Sequence, residues 1–146
     1  MKRILNVLII VTVCTLAFVG FLVAFNSFRG TTPRPLADQT FTIHGQPTTC
    51  SMLFGHACDY SLQSQYNRWG NGLESFVESS TLGPYATEIG FAASAKLSLQ
   101  ACGLARTAGN TVLEFEALAR AEHPEATSPQ LFPFWNRTRQ GLCPQQ

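Results

Sequence analysis

Between Ile4 and Phe25 the chain runs ILNVLIIVTVCTLAFVGFLVAF, 22 residues without a charge and with only Asn6, Thr12 and Thr15 as strongly polar interruptions. As a helix this stretch is roughly 33 Å long, enough to cross a hydrocarbon core of about 30 Å. A cleavable signal peptide has a shorter apolar region, of about 7 to 15 residues, closed by small residues. Here Ala24 is followed by Phe25, Asn26, Ser27, Phe28 and Arg29, with no small-x-small triplet. Residues 1–26 therefore read as a retained transmembrane signal-anchor, with secretion after cleavage of a signal peptide as the alternative. Lys2 and Arg3 on one side face Arg29 and Arg34 on the other, and the free N-terminal amine tips the orientation toward N-terminus inside. Cys14 is preceded by Val11, Thr12 and Val13 rather than by the small residues of a lipidation signal, and reads as a small apolar side chain in a membrane helix.

Whatever such an anchor holds outside the cytosol meets oxidising conditions. Residues 27–39 contain Gly30, Pro33 and Pro35 and no periodicity, as expected of a flexible stalk. What remains is enough for one compact domain but not two. From Ser27 onward eight Arg or Lys face nine Asp or Glu. That near-neutral balance, without a stripe of cations, argues against nucleic acid as a partner.

Hydrophobic spacing supplies the elements. Phe41 and Ile43 alternate with polar residues, Gly45-Gln46-Pro47 supplies a turn, and an apolar stretch from Met52 to Phe54 follows, which suggests a short β-hairpin. Residues 40–72 otherwise read as irregular, with Asp59 to Gly72 at most a short helix stopped by Gly70-Asn71-Gly72. A helical domain over 73–146 follows. Leu73, Phe76 and Val77 mark a short helix that ends at Gly83-Pro84. From Thr87 to Arg106, Ala92, Ala95, Leu99, Cys102 and Ala105 share one face, and the alanines allow close helix approach at the centre of a bundle. Asn110 is the expected N-cap of a third helix, Thr111 to Glu122, with Val112, Phe115, Leu118 and Ala119 inward and a Glu116–Arg120 pair on the wet face. His123-Pro124 stops it. Ser128-Pro129 opens a last helix carrying Leu131, Phe132, Phe134, Trp135 and Leu142, with Pro133 disturbing its first turn. The expected fold class is all-α: an N-terminal transmembrane helix followed by a small disulfide-stapled bundle of three to four helices.

Four cysteines lie outside the apolar segment: Cys50, Cys58, Cys102 and Cys143. An even count in a small exported domain favours two disulfides, for which three pairings are open. The favoured one joins Cys50 to Cys58 and Cys102 to Cys143, because the latter would tie the central helix to the end of the last. Chain entropy gives that long bridge about 4 kcal/mol and the short one about 2.5 kcal/mol. Cys50, His56, Cys58 and Asp59, with His44 near in sequence, also form a cluster with metal-ligand chemistry, but C-x5-H-x-C is not a structural zinc spacing. No metal and no cofactor is therefore expected.

Signatures of catalysis are absent from the sequence: it has no G-x-S-x-G, no H-E-x-x-H and no glycine-rich phosphate loop. Glu114, Glu116 and Glu122 read as a solvated helix face and His123 as a helix-end residue. Tyr60, Tyr66 and Trp69, with Asn67 and Arg68, form a candidate platform for sugar or peptide, against the plainer reading that they pack the non-helical half onto the bundle.

Ala101-Cys102-Gly103-Leu104 at the end of an alanine-rich helix, Gly109 soon after, a short helix closing at Pro124, Ser128-Pro129-Gln130 opening the last helix and Cys143-Pro144-Gln145 finishing it occur in a recognisable order. Over about residues 76–144 the chain thereby resembles the exported actinobacterial, chiefly mycobacterial, domain of unknown function numbered 732. The resemblance implies an all-helical domain behind a signal or anchor, with Cys102 and Cys143 bridged, and implies no activity. Family members usually carry a hydrophobic residue and a tyrosine before the final cysteine, where this chain has Gly141-Leu142, and lack counterparts of Cys50 and Cys58. Residues 38–72 fall outside the resemblance. The expected function is that of a non-enzymatic, membrane-anchored extracytoplasmic envelope protein that binds a partner protein or a cell-wall component. An envelope enzyme or metal-binding protein using Cys50, His56 and Cys58 is one alternative, and a structural accessory of a membrane assembly is another.

Overall fold

Phe41–Ile43 (β1) and Gln46–Thr48 (β2) pair antiparallel, Phe41 opposite Thr48 and Ile43 opposite Gln46, in the computed structural model, which describes residues 36–144. The expected anchor over Ile4 to Phe25, Cys14 and most of the expected stalk lie outside the described residues. The hairpin turns on His44 and Gly45, both at positive φ (50° and 73°), as a two-residue turn matching strand twist requires. The second strand is thus Gln46–Thr48 rather than the Met52 to Phe54 stretch, and Pro47 is tolerated because a two-stranded sheet consists of edges. Met52 to Phe54 instead belong to a short helix, Cys50–Phe54 (α1), because the Thr49 hydroxyl accepts the Met52 N–H at 3.3 Å and nucleates a turn there.

The largest departure from expectation is the next helix, Tyr60–Val77 (α2), which runs straight through Gly70-Asn71-Gly72. Its start is set by Asp59, whose carboxylate accepts the Leu62 N–H at 2.8 Å. Tertiary packing overrides the glycines' weak propensity. A Cβ on Gly70 would overlap the Phe41 ring, with Cε2 only 2.6 Å away, so the bare backbone is what lets the hairpin dock on α2. Phe41 also meets Tyr66 edge-on at 5.4 Å.

Pro84–Ala105 (α3) is the centre of the bundle, as its alanines suggest, packing mainly against α2 and the last helix. It begins earlier than expected and breaks at Gly90, whose φ of 80° and ψ of 172° only glycine adopts without strain. Ser94 spans the break, donating to the Ala86 carbonyl at 2.9 Å. Ala95, Leu97, Leu99, Ala101 and Cys102 are all buried, so α3 is covered over most of its circumference, while Ala92 is exposed.

Val112–Glu122 (α4) is capped by Thr111, not Asn110: the Glu114 carboxylate accepts both the Thr111 N–H, at 2.8 Å, and its hydroxyl, completing a capping box. Leu118 faces outward, and Glu116, expected on the wet face, is buried. Ser128–Gly141 (α5) explains the exchange. Its cap is Thr127, whose N–H and hydroxyl donate to Gln130 at 2.9 and 2.8 Å, which frees the Ser128 hydroxyl to donate to Glu116 at 2.7 Å. Arg120 donates to the same carboxylate oxygen at 2.8 Å and to the Ala126 carbonyl at 3.1 Å, so the pair locks α4 to the start of α5. The helix continues through Pro133. Two disulfides close the domain, Cys50–Cys58 and Cys102–Cys143, with Cα separations of 6.2 and 5.9 Å. Among the described residues no helix is long and apolar enough to cross a membrane.

Two glycines two residues apart, on opposite faces of α2, give opposite expectations for urea midpoints. Gly70→Ala forces Phe41 out and lowers stability by about 1–3 kcal/mol. Gly72→Ala meets only Leu142 Cδ1 at an ordinary 3.7 Å and raises stability by about 0.5–1 kcal/mol. Glu116 is held below its ordinary value of 4.5 by the Ser128 hydroxyl first and by Arg120, against an opposing effect of burial. Its contribution is therefore present above pH 4.5 and lost as pH falls through the lower folded value. Glu116→Gln is expected to cost about 2 kcal/mol at pH 7, with the gap to wild type closing on acidification in urea titrations at stepped pH.

Candidate functional site

The sulfurs of the Cys50 to Asp59 cluster are bonded to each other, which leaves no thiolate there for a metal or a nucleophile in this form. His56 is exposed and its Nδ1 lies 3.1 Å from the Ala57 carbonyl. His44 lies instead against the far end of α2. Its Nε2 is 2.8 Å from Glu78 Oε1, its ring is 4.5 Å from that of Phe91, and Glu74 stands one turn before Glu78. Ligand atoms of His44, Glu74 and Glu78 fall within 4.8 Å of one another, the arrangement among the described residues that could hold a cation; the exposed His44–Glu78 hydrogen bond already accounts for two of the three.

The aromatic platform divides. Tyr66 is fully buried and donates to the Thr48 carbonyl at 2.6 Å, so it is a core residue that ties α2 to the hairpin and cannot contact a ligand. Burial first, and the Asp38 charge second, push its hydroxyl up to about 12. Burial alone would raise Asp38 too, but hydrogen bonds from Ser51 (2.9 Å), Gln63 (3.0 Å) and the Cys50 N–H (3.0 Å) hold it below the usual carboxylate value. Asn67 is structural as well, donating to the Ala37 carbonyl at 2.7 Å. Tyr60 is exposed at the first residue of α2, about 14 Å along the axis from Trp69. Only Arg68 and Trp69 remain together, the guanidinium carbon 5.1 Å from the indole centroid.

That pair forms one wall of a cleft of about 610 Å³ between the second half of α2 and the end of α5. Trp69, Ser75 and Phe76 line it from α2, Arg137 and Gln140 from α5, with Leu142 buried beneath. The helices come close here because Gly141 accepts Phe76 against its backbone, where a Cβ would lie 3.1 Å from Cε2. Trp69 is fixed by an indole N–H bond to Gln65 at 3.3 Å. Sequence reasoning identified Arg68 and Trp69 and missed Phe76, Arg137 and Gln140. The signal available was a polar face on the last helix, Arg137 and Gln140 three residues apart, but nothing in the sequence says that α2 lies opposite. Comparison with known proteins found no matching family model, no matching curated protein and no matching solved structure.

A tyrosine held protonated in the fold stabilises fully below pH 10 and loses that contribution as pH rises toward 12. Tyr66→Phe is expected to be less stable by about 1 kcal/mol at neutral pH, from the lost bond to Thr48. In thermal melts the difference from wild type narrows between pH 10 and 11; a difference constant over that range contradicts the assignment.

Proposed function

We propose that this protein is a non-enzymatic, membrane-anchored extracytoplasmic envelope protein, and that its domain binds an envelope component through the α2–α5 cleft. The observation that carries the reading is the cleft, which gathers Arg68, Trp69, Phe76 and Arg137 from distant parts of the chain into one open surface. Two disulfides, one of them in the core, support an oxidising compartment, and the apolar segment Ile4 to Phe25 supports a single membrane pass with the C-terminal domain outside. The resemblance of residues 76–144 to the exported family numbered 732 belongs to the same reading. Binding rather than catalysis is favoured because the cleft lacks a nucleophile–base pair and lacks carboxylates among its lining residues.

Co-sedimentation of the full-length protein, in detergent, with the washed cell-envelope fraction of its own source tests this. Wild type and Leu113→Ala, a change at an exposed position of α4, are expected to sediment alike. Trp69→Ala and Arg137→Ala are expected to reduce retention at least tenfold while near-UV circular dichroism stays native. Equal retention of all four proteins contradicts the cleft as the contact surface.

A further inference from the structure

We infer that the α2–α5 cleft takes an acidic glycan, a sugar chain bearing carboxylate or phosphate groups; the inference rests on the reading of the cleft as the binding surface. The first support is the distribution of charge. Residues 36–144 hold six basic and nine acidic side chains, so the domain is net acidic. Lys96 is paired with Glu122 and Arg120 with Glu116. Four arginines make no ion pair among the described residues; Arg106 and Arg139 lie outside the cleft, whereas Arg68 and Arg137 share it, and its lining has no Asp or Glu. Two cations without carboxylate partners thus meet at one concave surface of an acidic domain, which favours a local anionic group over an extended polyanion such as nucleic acid.

The second support is the shape of the donors. Stacking on Trp69 restrains the Arg68 guanidinium at 5.1 Å and leaves its planar fork of N–H groups for an oxyanion, which it matches in bidentate geometry. Trp69 and Phe76 are partly exposed in the cleft lining and offer apolar ring surface against which the C–H face of a sugar ring can pack. Gln140 and Ser75 supply an amide and a hydroxyl for its hydroxyl groups. A purely apolar ligand would leave these polar groups without partners, and a bare anion would leave the aromatic faces wet. The cleft's volume, about 610 Å³, lies within the range of small-ligand sites, and it is open to solvent, so a chain can enter without its end being enclosed.

The test is titration calorimetry of the full-length protein in detergent with four probes: oligogalacturonate, its fully methyl-esterified form, a phosphorylated oligomannoside and the same oligomannoside after phosphatase treatment. Binding of at least one acidic probe at least tenfold more tightly than its neutral counterpart is expected, and which pair shows it distinguishes carboxylate from phosphate. Arg68→Ala with Arg137→Ala is expected to bring the acidic probe to the affinity of the neutral one, and Trp69→Ala to weaken both. Equal affinity for acidic and neutral forms overturns the inference. So does competition by inorganic phosphate as effective as the saccharide, or no binding of either acidic probe up to about 1 mM. If envelope co-sedimentation still depends on Trp69 when the acidic probes fail, the glycan assignment falls and the cleft reading stands; if both fail, both fall.

Discussion

The Cys102–Cys143 bridge is the constraint on which the rest of the domain depends. It joins the most deeply buried helix, α3, to the end of α5 across a sequence separation of 41, with Cα atoms 5.9 Å apart and both residues inside the core. The loop it closes contains α4 and all of α5, so the crosslink removes unfolded-state entropy worth about 4 kcal/mol from the segment that completes the bundle. Its position is prepared by the last turn of α5, where the Thr138 carbonyl accepts the N–H groups of both Leu142 and Cys143 at 2.9 Å. The same turn presents Arg137 and Gln140 to the cleft and sets Leu142 beneath it. Stability and the proposed binding surface therefore share one structural element.

Around that anchor point most polar side chains of the core are satisfied locally or across helix ends, the exceptions among the described residues being Thr138 Oγ1 and Arg139 Nε. Ser94 and Ser98 return their hydroxyls to the carbonyls of Ala86 and Ser94 at 2.9 and 2.8 Å, so α3 can be covered on nearly every side. Glu116 is buried only because Arg120 and Ser128 both reach it. Asp38 plays the matching part at the other end, collecting Ser51, Gln63 and the Cys50 N–H and so holding the start of the domain onto α1 and α2. Together with Tyr66 it ties residues 38–72 into the core, so that stretch is an integral layer of the fold.

The parts of the fold legible in the sequence were those written in local periodicity. The centre of α3, the existence of α4 and α5 and the first strand of the hairpin follow from spacing and from breakers such as Gly109 and Pro124, and the favoured cysteine pairing is the one found. Helix caps shifted by one residue, Thr111 for Asn110 and Thr127 for Ser128, because adjacent polar residues compete for the same N–H groups and only three-dimensional partners decide between them. The continuity of α2 through Gly70-Asn71-Gly72 was hidden because its cause is Phe41, 29 residues before Gly70 and in contact with it only after folding. The cleft was hidden for the same reason: Arg68 and Trp69 stand out by composition, whereas Phe76 and Arg137 acquire meaning only when α2 and α5 face each other. Tyr66, the most conspicuous member of the aromatic run, is the one the core consumes.

If the domain is held together as described and lives in an oxidising compartment, its thiols are committed before any ligand arrives. The most direct measurement is peptide mapping by mass spectrometry of the non-reduced full-length protein, purified from its own cells with free thiols alkylated at lysis. The expected result is linked peptides containing Cys50 with Cys58 and Cys102 with Cys143, and alkylation confined to Cys14. Recovery of Cys102 or Cys143 in alkylated form from the native protein would contradict both the architecture and the compartment.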